Sequence, residues 1–158
     1  MDWTYDKANF SDLPNIVKDL HESGMHYVNI IDPAIKNSPG YFPFDSGVQS
    51  QVFIKDSKTN DWLVGVVWPG TTVFPDFTHP NASQWWALCA KSFHDIIPFD
   101  GIWIDMNEPS NFVEGSITGC NKSDRFNYPP YTPRNIFFIP LLVFAENLVK
   151  RIQKNFDI

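Results

Sequence analysis

Residues 101–112 read GIWIDMNEPSNF, an apolar run that turns polar within one residue. A short apolar run of this kind predicts a buried strand, which we place at FDGIWIDM, residues 99–106. Asp105 and Glu108 follow at once, with Asn107 between them. The stretch therefore predicts a strand that ends on a carboxylate, and the chemistry of that carboxylate becomes the functional question.

A second apolar run, MHYVNIID at residues 25–32, also ends on an acid, Asp32, before Pro33 stops the strand. A helix is predicted before each run, over residues 11–24 and 81–96. Neither strand alternates apolar and polar residues, which is typical of parallel strands covered by helices. The chain is therefore expected to be of the α/β class.

The first predicted helix begins with Ser11 as its N-cap and ends at Gly24. The second begins at Asn81 or Ser83. Each has an apolar stripe at three- and four-residue steps, formed by Ile16, Val17 and Leu20 in the first and by Trp85, Leu88, Cys89, Phe93 and Ile96 in the second. Between the two α/β units, residues 36–60 and 69–80 are expected to be loop, with short strands at 51–56 and 62–68.

Asp32 and Asp105 are expected to share one face, because sites form where parallel strands reach their carboxyl ends. Asp105 has two interpretations. It caps a following helix or binds loop amides, or it is a nucleophile or base aimed into a cleft. Burial between Ile104 and Met106 would require donors, a cation or a substrate to meet its charge.

Composition excludes several classes of function. The net charge is −6 and no long Lys/Arg run occurs, so nucleic acid is not expected as a partner. No transmembrane span and no signal peptide are expected in this chain. Sequons at Asn9, Asn81 and Asn121 mildly favour a secretory route. Cys89 and Cys120 either pair or stay free.

The four histidines have no ligand-like spacing, so neither a metal nor another cofactor is expected. No serine elbow or phosphate loop is present. What remains is carboxylate chemistry, and paired carboxylates are the usual machinery for cleaving glycosidic bonds. Trp68 and Trp103 add aromatic faces on which a sugar ring can stack.

Five motifs together resemble the α-glucosidases of glycoside hydrolase family 31. In order they are DWTYD (2–6), IIDPAI (30–35), VWPGTTVFPDFTHP (67–80), PFDGIWIDMNEPSNF (98–112) and GCNKSDRFNYPPYTPR (119–134). The resemblance implies part of a (β/α)8 TIM barrel, roughly strands 3–4 with an inserted loop, over residues 1–134. Residues 135–158 are expected to be a divergent tail.

The resemblance also implies roles. Asp105 matches the nucleophile of a retaining double displacement that removes terminal α-linked glucose from oligosaccharides. Glu108 matches a supporting acid. The positions that match the glucose pocket are Ile30, Asp32, Trp68, Trp103 and Met106.

One departure from the family concerns the acid/base residue. The resemblance places it well downstream of Asp105, at a position that this sequence does not contain. We therefore expect the chain alone to be inactive, and the alternative function is a truncated product that at most binds carbohydrate or a partner. The resemblance places the parent enzyme in the secretory pathway, as a lysosomal, brush-border or extracellular protein.

Overall fold

The computed structural model describes residues 1–120, 122–123, 125, 128 and 130–131. Met1–Cys120 form one unit and Asn121–Ile158 a second. The predicted tail over 135–158 lies outside the described residues. The elements are α1 (Leu13–Glu22), β1 (Val28–Ile31), β2 (Ile35–Lys36), α2 (Phe42–Ser50), β3 (Val64–Val67), β4 (Gly70–Val73), α3 (Ala82–His94) and β5 (Gly101–Ile104).

The two predicted strands pair with each other in parallel. β1 lies beside β5 in a two-stranded sheet whose register joins Val28 to Gly101 and Ile31 to Ile104. Residues 32–100, including α3, form the crossover between them. This arrangement confirms the α/β prediction. It is a segment of a parallel sheet, and no closed barrel is present among the described residues.

Both strands were expected to be buried, and that expectation is wrong for one face of the sheet. Ile30 and Trp103 pair across the strands and are 49% and 59% exposed. Ile31, on the opposite face, is buried in the main core. One face of the sheet borders an open cleft, and on the other face Ile104, the strand partner of the buried Ile31, is itself 64% exposed.

Helix α1 begins one residue later than predicted. Its N-cap is Asp12 instead of Ser11, and Pro14 occupies the first turn. Gly24, at φ +74°, ends it as predicted, because the Gly24 and Met25 amides bond back to His21 and Leu20. Of the predicted stripe, Val17 is fully buried and Ile16 is exposed.

Helix α3 follows the prediction closely, with Asn81 at the N-cap. Trp85, Cys89 and Phe93 are buried in the main core. Leu88 and Ile96 belong to the same predicted stripe but are about half exposed. The buried face of the helix is therefore narrower than the apolar pattern of the sequence.

The segment expected to be loop contains a helix, α2. Pro43 occupies its first turn, where a missing amide costs nothing. Trp85 of α3 holds it by donating its indole N–H to the Pro43 carbonyl (3.2 Å) and to Ser46 Oγ (3.1 Å). Phe44 stacks on Phe53, with ring centroids 5.9 Å apart. Contacts with the rest of the fold, instead of a local helical signal, explain this helix.

The second sheet also differs from prediction. β3 confirms the strand expected at 62–68, but β4 lies in a stretch expected to be loop. The two strands form an antiparallel hairpin that turns at Trp68 and Pro69, and β2 adds to the far side of β4. The strand expected at 51–56 consists only of isolated bridges from Phe53 and Lys55.

Asp100 joins the amino ends of β1 and β5. Its carboxylate accepts the Tyr27 amide at 2.8 Å and lies 2.8 Å from His21 Nε2 and 3.3 Å from His26 Nδ1. Its own amide donates to the Tyr27 carbonyl. The Tyr27 amide, followed by His21 and His26, lowers the pKa of Asp100 to about 2. The end of α1 and both parallel strands therefore meet at one carboxylate.

We expect Asp100→Asn to lower the urea midpoint of unfolding at pH 7, because the ionised carboxylate is lost. A depressed pKa stabilises the fold above the unfolded value, roughly 3.9, and that stabilisation disappears as the pH falls through about 2. The difference between wild type and variant should therefore shrink over this range. Asp95→Asn, which removes an exposed pair with Lys91, is the control and should change little. Equal midpoints for Asp100→Asn and wild type at pH 7 would contradict the assignment.

Candidate active site

The register of the parallel sheet brings Asp32 and Asp105 together. Ile31 and Ile104 form the last pair, so the two acids occupy the next corresponding positions. Alternation of side chains places them on the face of Ile30 and Trp103. The predicted meeting of two carboxylates at one sheet end is therefore found in the fold.

A cleft of about 520 Å³ opens on this face. Four of the five predicted glucose-pocket residues line it: Ile30, Asp32, Trp68 and Trp103. The other wall comes from the first residues of the chain, Met1–Tyr5. The cleft thus combines aromatic surface with carboxylates, which suits an uncharged polar ligand with apolar ring faces.

Asp32 has an incompletely satisfied carboxylate. Its Oδ1 atom is buried and has no hydrogen-bond partner among the described residues. Burial, and then the nearby charge of Asp105, raise the pKa of Asp32 above its ordinary value. A buried acceptor of this kind is costly unless a donor meets it. The Oδ1 atom of Asp32 is therefore an acceptor that a donor entering the cleft can satisfy.

Asp2 was not among the predicted site residues, yet it supports Asp32 directly. Its Oδ1 accepts the Asp32 backbone N–H at 2.9 Å, and its backbone carbonyl accepts the Tyr41 hydroxyl at 2.5 Å. Burial raises the pKa of Asp2. No spacing in the sequence relates Asp2 to Asp32, so only the fold reveals this contact.

Asp105 is exposed, which corrects the expectation of a buried charge between Ile104 and Met106. Its Oδ1 accepts the N–H of Met106 at 2.9 Å. Met106 lies in the left-handed region at φ +58°, an uncommon conformation for a residue with a long side chain. The backbone thus turns sharply just after Asp105 and holds one carboxylate oxygen through the adjacent amide.

Met106, the fifth predicted pocket residue, touches the cleft wall instead of lining the cavity. The Trp68 indole N–H donates to Met106 Sδ at 3.0 Å. Trp68 itself is 74% exposed at the tip of the β3–β4 hairpin. The residue after Asp105 therefore helps to hold an aromatic ring beside the cleft.

Glu108 is exposed and accepts the Ser110 hydroxyl at 2.5 Å within the same turn. This bond lowers the pKa of Glu108 and keeps it ionised. Among the described residues, no hydrogen bond joins Glu108 to Asp105. Its predicted role as a supporting acid remains a prediction.

The remaining candidates are spread over the surface. Asn9 and Asn81 are both exposed, while Asn121 lies outside the described residues. Cys89 and Cys120 are free thiols, so they do not pair with each other. Burial raises the pKa of Cys89 to about 12, as expected for a core residue.

The cleft, the paired acids and the parallel strands agree with one family. Residues 1–155 match the model of the glycosyl hydrolases family 31 TIM-barrel domain. The chain belongs to this family. The match runs past residue 134, and the proposed boundary of a divergent tail at that point stays a prediction.

The chain is 47% identical to mouse lysosomal alpha-glucosidase over 135 residues, which cover 84% of this chain and 14% of that protein. It is also 47% identical to human intestinal sucrase-isomaltase over 137 residues, covering 84% and 7%. A crystal structure of the ER glucosidase II heterodimeric complex superposes with a TM-score of 0.63 at 35% identity, covering 70% and 12%. The chain thus spans a small part of the length of the proteins it matches.

Among the described residues, no helix has both the length and the apolar character of a membrane span.

The coupling of the two acids can be measured. We expect Asp105→Asn to lower the pKa of Asp32, because the like charge beside it disappears. The pKa should stay above its ordinary value, since burial, the larger cause, is unchanged. The chemical shift of the Asp32 carboxyl carbon, followed by NMR during a pH titration, gives the pKa of Asp32 in the wild type and in Asp105→Asn. Asp95→Asn is the control, and an unchanged Asp32 titration in Asp105→Asn would contradict the coupling.

Proposed function

We propose that this chain supplies the nucleophile and one wall of the glucose pocket of a retaining α-glucosidase. The observation that carries the proposal is the placement of Asp32 and Asp105 side by side at the carboxyl ends of β1 and β5. Asp32 lines the cleft together with Trp68 and Trp103, and Asp105 lies beside Asp32 at the strand end. Family membership and α-glucosidase relatives support the same reaction class.

In this proposal, Asp105 attacks the anomeric carbon of an α-linked glucose unit. A carboxylate oxygen forms the new bond to carbon while the bond to the leaving oxygen breaks and that oxygen takes the electron pair. Met106 N–H holds Oδ1. Within the described residues no hydrogen bond engages Oδ2, which is therefore the oxygen available for attack. Water then hydrolyses the glucosyl ester and restores the carboxylate.

Substrate recognition falls to the walls of the cleft. The buried Oδ1 of Asp32 accepts a hydrogen bond from a sugar hydroxyl, which satisfies an oxygen that has no partner among the described residues. Trp103 and Ile30 form the apolar floor, and the exposed Trp68 ring covers one side. Maltose-like oligosaccharides fit this combination of hydroxyl acceptor and aromatic surface.

A second candidate is a chain that binds α-glucosides without turning them over. Protonating the leaving oxygen takes a general acid, normally a carboxyl with a raised pKa. The acids that line the described cleft are Asp2 and Asp32, and Asp2 is already engaged by the Asp32 amide. This arrangement favours binding or single-step labelling over hydrolysis by residues 1–158 alone.

For the cellular setting, we propose the secretory pathway of a parent enzyme. The relatives include a lysosomal and an intestinal enzyme, and the sequons at Asn9 and Asn81 are exposed.

The nucleophile is tested with an activated α-glucosyl fluoride, whose leaving group needs no proton. We expect the chain to form a covalent glucosyl adduct on Asp105, detected by mass spectrometry of the digested protein. Asp105→Ala should lower the labelling rate by more than about a hundredfold. Asp19→Asn, an exposed acid of α1, is the control. Labelling that persists in Asp105→Ala would refute the assignment.

The pocket role of Asp32 is tested by the concentration dependence of the same reaction. We expect Asp32→Asn to weaken binding by about tenfold, because a charge-assisted bond to a sugar hydroxyl contributes about 1.5–3 kcal/mol. The maximal labelling rate should change less.

In parallel, maltose should not be hydrolysed by the chain alone, and turnover that disappears in Asp105→Ala would rule out the second candidate.

A further inference from the structure

The loop that follows Asp105 is bound to the edge of the second sheet. β3 is an outer strand of the order β2-β4-β3. The Phe112 amide donates to the Val66 carbonyl at 2.9 Å, and the Ile117 amide donates to the Val64 carbonyl at 3.0 Å. Residues 111–117 therefore run along β3 and satisfy backbone groups that would otherwise face solvent.

The Asn111 side chain makes the most specific part of this attachment. Its Oδ1 accepts the Val66 N–H at 2.9 Å and the Val113 N–H at 3.4 Å. Its Nδ2 donates to the Gly115 carbonyl at 2.9 Å. One amide thus acts as acceptor and donor at once, which no carboxylate or aliphatic side chain can reproduce.

The strand is shaped to receive this amide. A Cβ atom on Gly65 would lie 2.7 Å from Asn111 Oδ1 and 2.6 Å from the Phe74 ring. Only glycine allows the amide and the buried Phe74 to approach the strand together. The contact is therefore a close fit between β3 and the loop.

The same loop holds Trp68. β3 ends at Val67, so Trp68 is the next residue along the strand that Asn111 binds. Phe112 meets the Trp68 ring edge to face, with centroids 4.8 Å apart, and Met106 Sδ accepts its indole N–H. An exposed indole with two such contacts depends on the loop for its orientation.

We propose that Asn111 is a positioning residue that fixes the spacing between the Asp105 loop and the Trp68 wall of the cleft. The geometric part stands on the hydrogen bonds alone. The consequence for glucoside binding rests on the proposed function. Without the amide, residues 111–113 keep only the Phe112 backbone bond to β3. The Phe112 contact then loosens, and the Trp68 ring leaves its place beside Met106.

The geometric part is tested by NMR on the full chain labelled with ¹⁵N, with the Trp68 indole signal assigned through Trp68→Phe. We expect Asn111→Ala to shift or broaden the signals of the Trp68 indole and the Met106 amide. The buried Trp85 indole, bonded to Pro43, should be unchanged. Asn107→Ala, an exposed amide of the same loop, is the matched control and should leave the Trp68 signal in place.

Asn111→Asp keeps an acceptor for Val66 but loses the donor to Gly115, so its Trp68 signal should lie between wild type and Asn111→Ala. This variant also decides the question if Asn111→Ala does not fold. A wild-type Trp68 signal in a folded Asn111→Ala or Asn111→Asp protein overturns the proposal.

The functional part uses the labelling reaction with activated glucosyl fluoride. We expect Asn111→Ala to raise the half-saturating concentration about tenfold, or ~1.4 kcal/mol, while the maximal rate changes less. Asn111→Asp should recover part of the loss. The control Asn107→Ala should leave the half-saturating concentration unchanged. A moved Trp68 signal with unchanged labelling would overturn the positioning role. If wild type is not labelled, the proposed function fails, and the Trp68 signals still decide whether Asn111 sets the wall.

Discussion

The parallel pairing of β1 with β5 is the constraint on which the site depends. Its register aligns Ile31 with Ile104 and so places the two following acids together, although 72 positions separate Asp32 from Asp105 in sequence. A shift of one residue would turn one acid to the helical face. The register is held at the other end by Asp100, whose amide and carboxylate both bond to Tyr27.

The inserted hairpin plays a different part, because it supplies an aromatic wall instead of a carboxylate. Trp68 and Pro69 form its tip, and the tip reaches the cleft because the loop after Asp105 binds the outer edge of β3. The loop after Asp105 and the hairpin are therefore in direct contact. The loop and the hairpin are joined by backbone bonds from Phe112 and Ile117 to β3, and no sequence pattern links the two segments.

Sequence reasoning succeeded where the physical signal is local. Helix α3 has a capping residue and an apolar stripe, and β1 and β5 are apolar runs that end on acids. It failed for α2 and β4, which have no local signal: α2 begins with aromatic residues and proline, and Trp85 holds it from another helix. It also misjudged burial, because an apolar strand facing a cleft and one facing a core have the same composition.

Within the site, sequence identified the acids but not their surroundings. Asp32, Asp105, Trp68 and Trp103 stand in recognisable motifs. Asp2 and Asn111 act through backbone groups of distant strands, and no spacing rule links them to those strands.

The environment of the paired acids explains why a ligand is favoured there. Asp32 is partly desolvated, has a buried oxygen without a partner among the described residues, and lies beside a second carboxylate. Each of these features raises the free energy of the ionised Asp32 carboxylate. In the proposed reaction, a sugar hydroxyl that donates to Asp32 removes part of that cost, and formation of a glucosyl ester on Asp105 removes the neighbouring charge. The electrostatics of the two carboxylates thus favour the proposed binding step and the proposed first displacement.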